Sequence, residues 1–266
     1  MQCFVTTPAG HEELVHEELT ALGVEDVSRT RGGVKFDGTL EQAYEACLWI
    51  RTGSRVLVRI ASFSADTPDK LYAGAGGVLW SEHFGVEDSF AVSVTGTYGE
   101  LKDERFSGLK IKDAIVDQFR GRVGARPSVD ADAPMCSIRA RIHRGHVAIY
   151  IDVSGPPLHR RGYRTAAGPA PLRETVASAV LMRARWPALA KEGATLLDPM
   201  CGAGTLLVEG AWMAMDVAPG LLRDSWGWAH WRKHDAAAWT RVVTAARERA
   251  ASGVAACRCS FEGFDA

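Results

Sequence analysis

The stretch that decides the fold is Leu196-Leu197-Asp198-Pro199-Met200-Cys201-Gly202-Ala203-Gly204-Thr205. It reads as a buried strand over 194–197, an acidic residue at the strand tip, a turn with two glycines, and a helix over 205–215. Glycine lets the backbone approach a ligand closely, because no Cβ intervenes. A helix N-terminus offers N–H groups that have no partner within the helix. A carboxylate at the strand tip can hold a cationic or hydroxyl-bearing group. The turn is not the dinucleotide-binding GxGxxG, since Leu207 stands where the third glycine belongs, and it lacks the Gly-Lys-[Ser/Thr] of a Walker A loop. A second helix over 235–251 and a strand over 259–263 follow, which is the opening of a doubly wound α/β domain. Two strands cannot make an open parallel sheet covered on both faces, so this domain reads as unfinished.

Upstream, short strands and helices alternate. The pattern predicts a strand at 3–7, a helix at 10–22 stopped by Gly23, a strand at 34–36 and a helix at 40–49. Arg-Val-Leu-Val-Arg-Ile-Ala, 55–61, alternates with period two and is a half-buried strand, with a second at 90–94. Residues 107–123 form a helix with Leu109, Ile111, Ala114, Ile115, Phe119 and Val123 facing inward. Strands at 137–142 and 147–153 make a hairpin across Arg144-Gly145, and Ser154-Gly155-Pro156-Pro157 marks a domain boundary. The last helix before the glycine turn spans 171–186 and is ended by Pro187. The late tryptophans, Trp212, Trp226, Trp228, Trp231 and Trp239, read as packing a loop onto a core in preference to stacking on bases.

Composition sets the class. The 266 residues are 47% hydrophobic and 24% charged, values of an ordinary globular protein large enough to bury a core. No apolar run approaches the roughly 18 residues of a membrane span, and no secretion signal opens the chain, so a cytoplasmic protein without membrane contact is expected. The six cysteines form no CxxC pair, and reduced thiols are expected. His143 and His146 make a poor metal pair, and no metal is expected. Net charge is −1, but 159–266 holds 14 basic against 10 acidic residues, and 1–158 holds 17 against 22. Any contact with nucleic acid therefore runs through local patches.

The string 198–205 resembles the S-adenosylmethionine-binding motif of methyltransferases that modify exocyclic nitrogens of nucleic-acid bases. The segment 171–184, PLRETVASAVLMRA, resembles the helix just upstream of that motif. The segment 218–235, APGLLRDSWGWAHWRKHD, resembles an insertion of THUMP-containing rRNA methyltransferases. LKIKDAIVDQFR (109–120), RPSVDADAP (126–134) and HVAIYIDVSGPPLHRRGYR (146–164) resemble the THUMP domain and its exit. Over essentially its whole length the chain resembles the bacterial 23S rRNA guanine-N2-methyltransferases, the L-type large-subunit enzymes. The resemblance implies an α+β ferredoxin-like N-terminal unit (1–45), a THUMP RNA-binding domain (46–156) and the start of an α/β Rossmann-like methyltransferase domain (157–266). In some bacteria a second methyltransferase follows on the same chain.

Residue roles follow from that resemblance. Asp198 would hold the methionine end of S-adenosyl-L-methionine, and Pro199, Cys201, Gly202, Gly204 and Thr205 would line its loop. Gly263-Phe264-Asp265 resembles the second motif, with Asp265 accepting from the ribose hydroxyls. Cys201 reads as a small packing residue, not a nucleophile. The expected partner is 23S rRNA or an assembly precursor, held through Lys110, Lys112, Arg120, Arg139 and Arg141, with Arg160, Arg161 and Arg164 adding basicity after the linker. For the helix lysines a solvated face is the competing reading, because Asp113 and Asp117 interleave. The sequence departs from the family in one respect. The Asn-Pro-Pro-Tyr type motif, whose asparagine would hydrogen-bond the target amine and whose aromatic would stack on the base, is absent, and the catalytic residues are expected beyond Ala266. The expectation is a truncated copy without methyl transfer of its own. A non-catalytic RNA-binding module, or a related THUMP methyltransferase acting on tRNA, are the alternatives.

Overall fold

In the computed structural model, residues 1–164 and 171–265 are described. In chain order the elements are β1 (Gln2–Thr6), α1 (Glu12–Ala21), β2 (Asp26–Thr30), β3 (Gly33–Asp37), α2 (Leu40–Trp49) and β4 (Arg55–Ser64). Then come α3 (Pro68–Gly76), β5 (Ser89–Thr95), α4 (Glu104–Val123), β6 (Ser128–Val129), β7 (Cys136–His143) and β8 (His146–Asp152). The remainder is α5 (Glu174–Arg183), α6 (Trp186–Lys191), β9 (Thr195–Asp198), α7 (Thr205–Ala214), α8 (Ala236–Ala256) and β10 (Ser260–Gly263). These elements fall into two compact units that the chain visits alternately. One holds 1–56, 156–224 and 235–266, and the other holds 57–155 and 225–234.

The first unit opens with the antiparallel order β2-β3-β1. Cys3, Val5, Val34 and Phe36 alternate onto one buried face, with Leu14, Val15 and Leu19 of α1 also buried. Gly23, at φ +78, ends α1 as its position requires, since only glycine adopts that conformation without cost. Helix α2 starts in a capping box: Thr39 Oγ1 accepts from Gln42 N at 3.1 Å, and Gln42 Oε1 accepts from Thr39 N at 2.9 Å. Later in the chain β9 and β10 pair in parallel, Thr195 to Gly263 in register from Thr195↔Ser260 to Asp198↔Gly263. Helix α7 packs on both strands, and α5 and α6 pack on α7.

The second unit carries strands in the order β4-β8-β7-β5-β6. The β4–β8 and β8–β7 pairs are antiparallel, and β5 runs parallel to β7 and β6. Arg144 (φ +49) and Gly145 (φ +79) make the tight turn of the β7–β8 hairpin. Ile138, Ala140, Ile142, Val147, Ile149 and Ile151 are buried, as alternation predicts for one face covered by helices. The covering helix α4 is capped by Asp103, whose Oδ1 accepts from Phe106 N, and stopped by Gly124 at φ +71. Phe84 stands 5.5 Å from Phe90 and 5.4 Å from Phe119, joining β5 to α4.

Several expectations need correction. The helix at 171–186 is two helices: Arg185 turns at φ +60, and Pro187 sits in the first turn of α6 instead of ending α5. Leu109 and Val123 do not face inward but are 49% and 58% exposed, because the buried stripe of α4 runs through Ile111, Ala114, Ile115 and Phe119. Strand β2 carries an exposed polar face and gives little periodic signal, and α3, with four small residues, was likewise not legible.

Candidate cofactor loop and nucleic-acid surfaces

The glycine turn joins β9 to α7. Asp198 closes β9, and its Oδ1 accepts from Met200 N at 3.1 Å, which fixes the direction of the turn. The end of β10 is laced to the same turn: Phe264 N donates to Asp198 O at 2.9 Å and Cys201 N donates to Phe264 O at 2.8 Å. Gly204 N donates to Cys201 O at 2.7 Å and closes the loop. The glycines at 202 and 204 sit at φ +49 and +69, with open space where a Cβ would stand. That is a cradle with backbone exposed toward a ligand. Gly263 is tight instead, since a Cβ there would lie 2.5 Å from Leu207 Cδ1 and 3.0 Å from Cys201 Sγ. Cys201 therefore packs against β10, in keeping with a packing residue.

Asp198, Pro199, Cys201, Gly202, Gly204 and Thr205 thus lie on one continuous turn, and Asp265 directly follows the strand end bonded to it. Asp265 is exposed and Thr205 is buried at the first position of α7. The loop's anchorage was not foreseen. Arg164 Nη2 donates to Thr205 Oγ1 at 3.0 Å and to Leu172 O at 3.0 Å, and Arg164 Nε meets Glu174 Oε1 at 2.9 Å. One turn further along α7, Glu209 is fully buried. It accepts from Ser178 Oγ at 2.5 Å and Tyr163 Oη at 3.2 Å, and pairs with Arg161 Nε at 3.4 Å. Arg161 also donates to Arg51 O at 2.6 Å and Leu158 O at 2.8 Å. Arg51 in turn donates to Val217 O at 2.8 Å, and Glu18 accepts from Arg51 N at 2.6 Å and from the Thr52 hydroxyl. Burial pushes the Arg51 guanidinium down to about 10 and raises the Glu18 carboxyl and the Tyr163 phenol. Arg161 and Arg164, expected among the phosphate-facing cations, are therefore internal. Basicity in sequence does not reveal which arginines have buried carboxylates to meet; Glu209, one helical turn after Thr205 on an otherwise apolar helix, was the available signal.

The RNA-binding candidates occupy two faces of the second unit. Lys110, Lys112 and Arg120 lie on α4. Lys110 Nζ is 5.7 Å from the Phe106 ring centre, Lys112 pairs with Asp113 at 2.6 Å, and Arg120 pairs with Asp117 at 3.5 Å. Arg139 and Arg141 lie on the half-exposed face of β7, away from the buried positions that α4 covers. Arg139 Nη1 donates to Ser93 Oγ at 2.8 Å, and its Nε stands 3.4 Å from the buried Asp152. In register beside Arg139 run Tyr150 and then Arg59, so this sheet face also carries a cation that the sequence did not single out. Two of the late tryptophans, Trp228 and Trp231, are 2% and 3% exposed, and pack as the loop-on-core reading expects. Trp231 Nε1 donates to His83 Nδ1 at 2.9 Å.

Comparison with known proteins agrees with this order of parts. Residues 2–57 match the family model of the RlmL ferredoxin-like domain, 65–152 that of the THUMP domain, and 161–264 that of the RMKL-like methyltransferase domain. The chain thus carries matches to a RlmL ferredoxin-like domain, a THUMP domain and an RMKL-like methyltransferase domain, in that order. It is 45% identical over 262 residues to the ribosomal RNA large subunit methyltransferase K/L of Syntrophotalea carbinolica, covering 98% of this chain and 37% of that protein. The protein of the same name from Methylococcus capsulatus is 46% identical over 252 residues, covering 95% of this chain and 34% of that one. The chain thus spans little more than a third of the length of these curated relatives. Among solved structures, SMU.472 complexed with SAH aligns with a TM-score of 0.81 at 25% identity, covering 99% of this chain and 75% of that one. A protein of Clostridium difficile 630 aligns with a TM-score of 0.80 at 26% identity, with the same coverage. The fold class read from the sequence is therefore right in its three parts: a ferredoxin-like unit, a THUMP domain and a methyltransferase domain.

Proposed function

We propose that the chain is part of an S-adenosyl-L-methionine-dependent methyltransferase acting on large-subunit ribosomal RNA, with guanine N2 of 23S rRNA as the target. The observation that carries the reading is the 198–205 turn, with left-handed glycines open to a ligand and its backbone laced to the strand end before Asp265. Asp198 takes the methionine end of the cofactor, Gly202, Gly204 and Thr205 line its loop with Pro199 and Cys201, and Asp265 accepts from the ribose hydroxyls. When bound, the cofactor supplies an activated methyl group on its sulfonium. The amine of guanine is a weak nucleophile, so the protein's part is in-line positioning and an acceptor for the developing charge. Lys110, Lys112, Arg120, Arg139 and Arg141 are the proposed contacts to RNA, and the division 1–45, 46–156 and 157–266 the proposed functional parts, although its first line falls inside α2. Among the described residues no helix is long and apolar enough to cross a membrane.

One observation favours a second reading for these 266 residues. They contain no asparagine at all, so the family's amine-binding Asn-Pro-Pro motif is not among them. The second reading is an RNA-binding module with no catalysis of its own. Calorimetry with S-adenosyl-L-methionine on the unsubstituted chain and on Asp198→Ala tests the cofactor site. Methyl transfer to unmodified large-subunit rRNA, read by the modified base, tests the activity. Cofactor binding with methyl transfer by the full-length protein supports the first reading, and no cofactor binding by the full-length protein overturns it and leaves the RNA-binding module.

A further inference from the structure

We infer that Arg164 is a cofactor-binding residue whose guanidinium takes the α-carboxylate of the methionyl end, an inference that rests on the cofactor reading above. The methionyl end is a zwitterion. Asp198 can answer its ammonium group, but a carboxylate needs a cation or a set of N–H donors. Of the residues that hydrogen bonds join to the loop, Asp198, Cys201, Phe264, Thr205 and Arg164, the last is the one cation among the described residues. It is held in a fixed pose. Nε is engaged by the buried Glu174 at 2.9 Å, and Nη2 donates to Leu172 O and Thr205 Oγ1, each at 3.0 Å. Nη1 is left buried without a hydrogen-bond partner among the described residues. A guanidinium carries five donors in a rigid fork, and a buried donor left unpaired is costly. Arg164 thus has two arms spent on orientation and one to spare, beside the first residue of α7. The helix N-terminus there adds its own attraction for an anion. Because Arg164 donates to the Thr205 hydroxyl oxygen, that hydroxyl keeps its own proton to offer as a second donor. Arg164 is a basic residue in a basic stretch, and the sequence alone placed it with the phosphate contacts; the geometry assigns it to the loop.

The test compares two ligands that differ only in the carboxylate. Binding of S-adenosylmethionine and of decarboxylated S-adenosylmethionine is measured by calorimetry on the full-length protein. Unsubstituted protein should prefer the carboxylated ligand on the order of 10- to 100-fold, the range of a charge-assisted hydrogen bond. Arg164→Gln should lose most of that preference by weakening the carboxylated ligand, with less than about a threefold change for the other. Arg164→Lys, which keeps the charge, should retain part of the preference, and Thr205→Val should reduce it; these two variants decide the matter if Arg164→Gln does not fold. Equal weakening of both ligands by Arg164→Gln, or no preference in the unsubstituted protein, overturns the inference and leaves Arg164 structural. Failure of the unsubstituted protein to bind either ligand overturns the cofactor reading itself.

Discussion

Both compact units fasten a late stretch of chain to an early one, and they do it with opposite chemistry. In the first unit the join is ionic and buried. Glu209 of α7 and Arg161 are 0% and 2% exposed, and Arg161 reaches the carbonyls of Arg51 and Leu158. In the second unit, residues 225–234 meet 80–88 through the Trp231–His83 ring pair, a backbone bond from Arg232 N to His83 O at 2.8 Å, and ion pairs that are mostly half exposed. Trp231 lies nearly coplanar with His83, 6.4 Å between ring centres, and donates to it edge to edge, and the pairs Lys233–Glu82 and Arg232–Glu87 are about half exposed. A buried charge network is specific but intolerant of losing one member. An aromatic join draws on burial and tolerates change at its rim.

The largest expected effect is in the buried network. Glu209→Ala leaves the Arg161 guanidinium without its carboxylate and removes an acceptor from Ser178 and Tyr163. Breaking such a pair costs about 3–5 kcal/mol, read by denaturant unfolding and by hydrogen exchange in α5 and α7. A cost under about 1 kcal/mol would mean that water or the neighbouring arginine network compensates, and the contrast between the joins would fail.

The aromatic join should respond to acid. Burial, then the nearby Lys233 charge, hold the His83 imidazole down at about 4, below its ordinary value. Because the folded form resists protonation, the unfolded chain takes up the proton first. The contribution of neutral His83 is complete above about pH 6.5 and is lost as pH falls from there through about 4, amounting to on the order of 3 kcal/mol. Unfolding of the second unit should steepen in that window, and His83→Gln should flatten it. An unchanged pH profile in the variant would remove His83 from the account.

Legibility in the sequence divides along the same line. The cofactor turn was readable because its constraints are local: a strand tip, two glycines at positive φ and a helix start lie within one short stretch. The hairpin at Arg144-Gly145 was readable for the same reason. Burial of Arg161 and Arg164 was not, because whether an arginine meets phosphate or a buried acid depends on partners far along the chain, here Glu209 and Glu174. The break between α5 and α6 was missed because a proline reads equally as a stop and as a first-turn residue. The exposure of Leu197 (55%), Phe264 (60%) and Met200 (83%) near the glycine turn is likewise not a local property, because it depends on what stands beside β9 and β10.

The smallest expected effect sharpens the contrast most directly. Lys233 Nζ stands 3.3 Å from Glu82 Oε2, with both side chains about half exposed. Solvent screens such a pair and ordering two long side chains offsets the attraction, so Lys233→Ala should cost at most about 0.5 kcal/mol at neutral pH. About 1 M salt, with a screening length of roughly 3 Å, should have a similarly small effect. The same substitution has a second readout with a definite sign. Removing the Lys233 charge takes away one of the causes that hold His83 down, so less stability is lost in acid and the acid transition of the second unit should move to lower pH. If Lys233→Ala instead costs more than about 1 kcal/mol at neutral pH and leaves the acid midpoint unmoved, the strap is fastened by charge as the first unit is, and the two joins are one design.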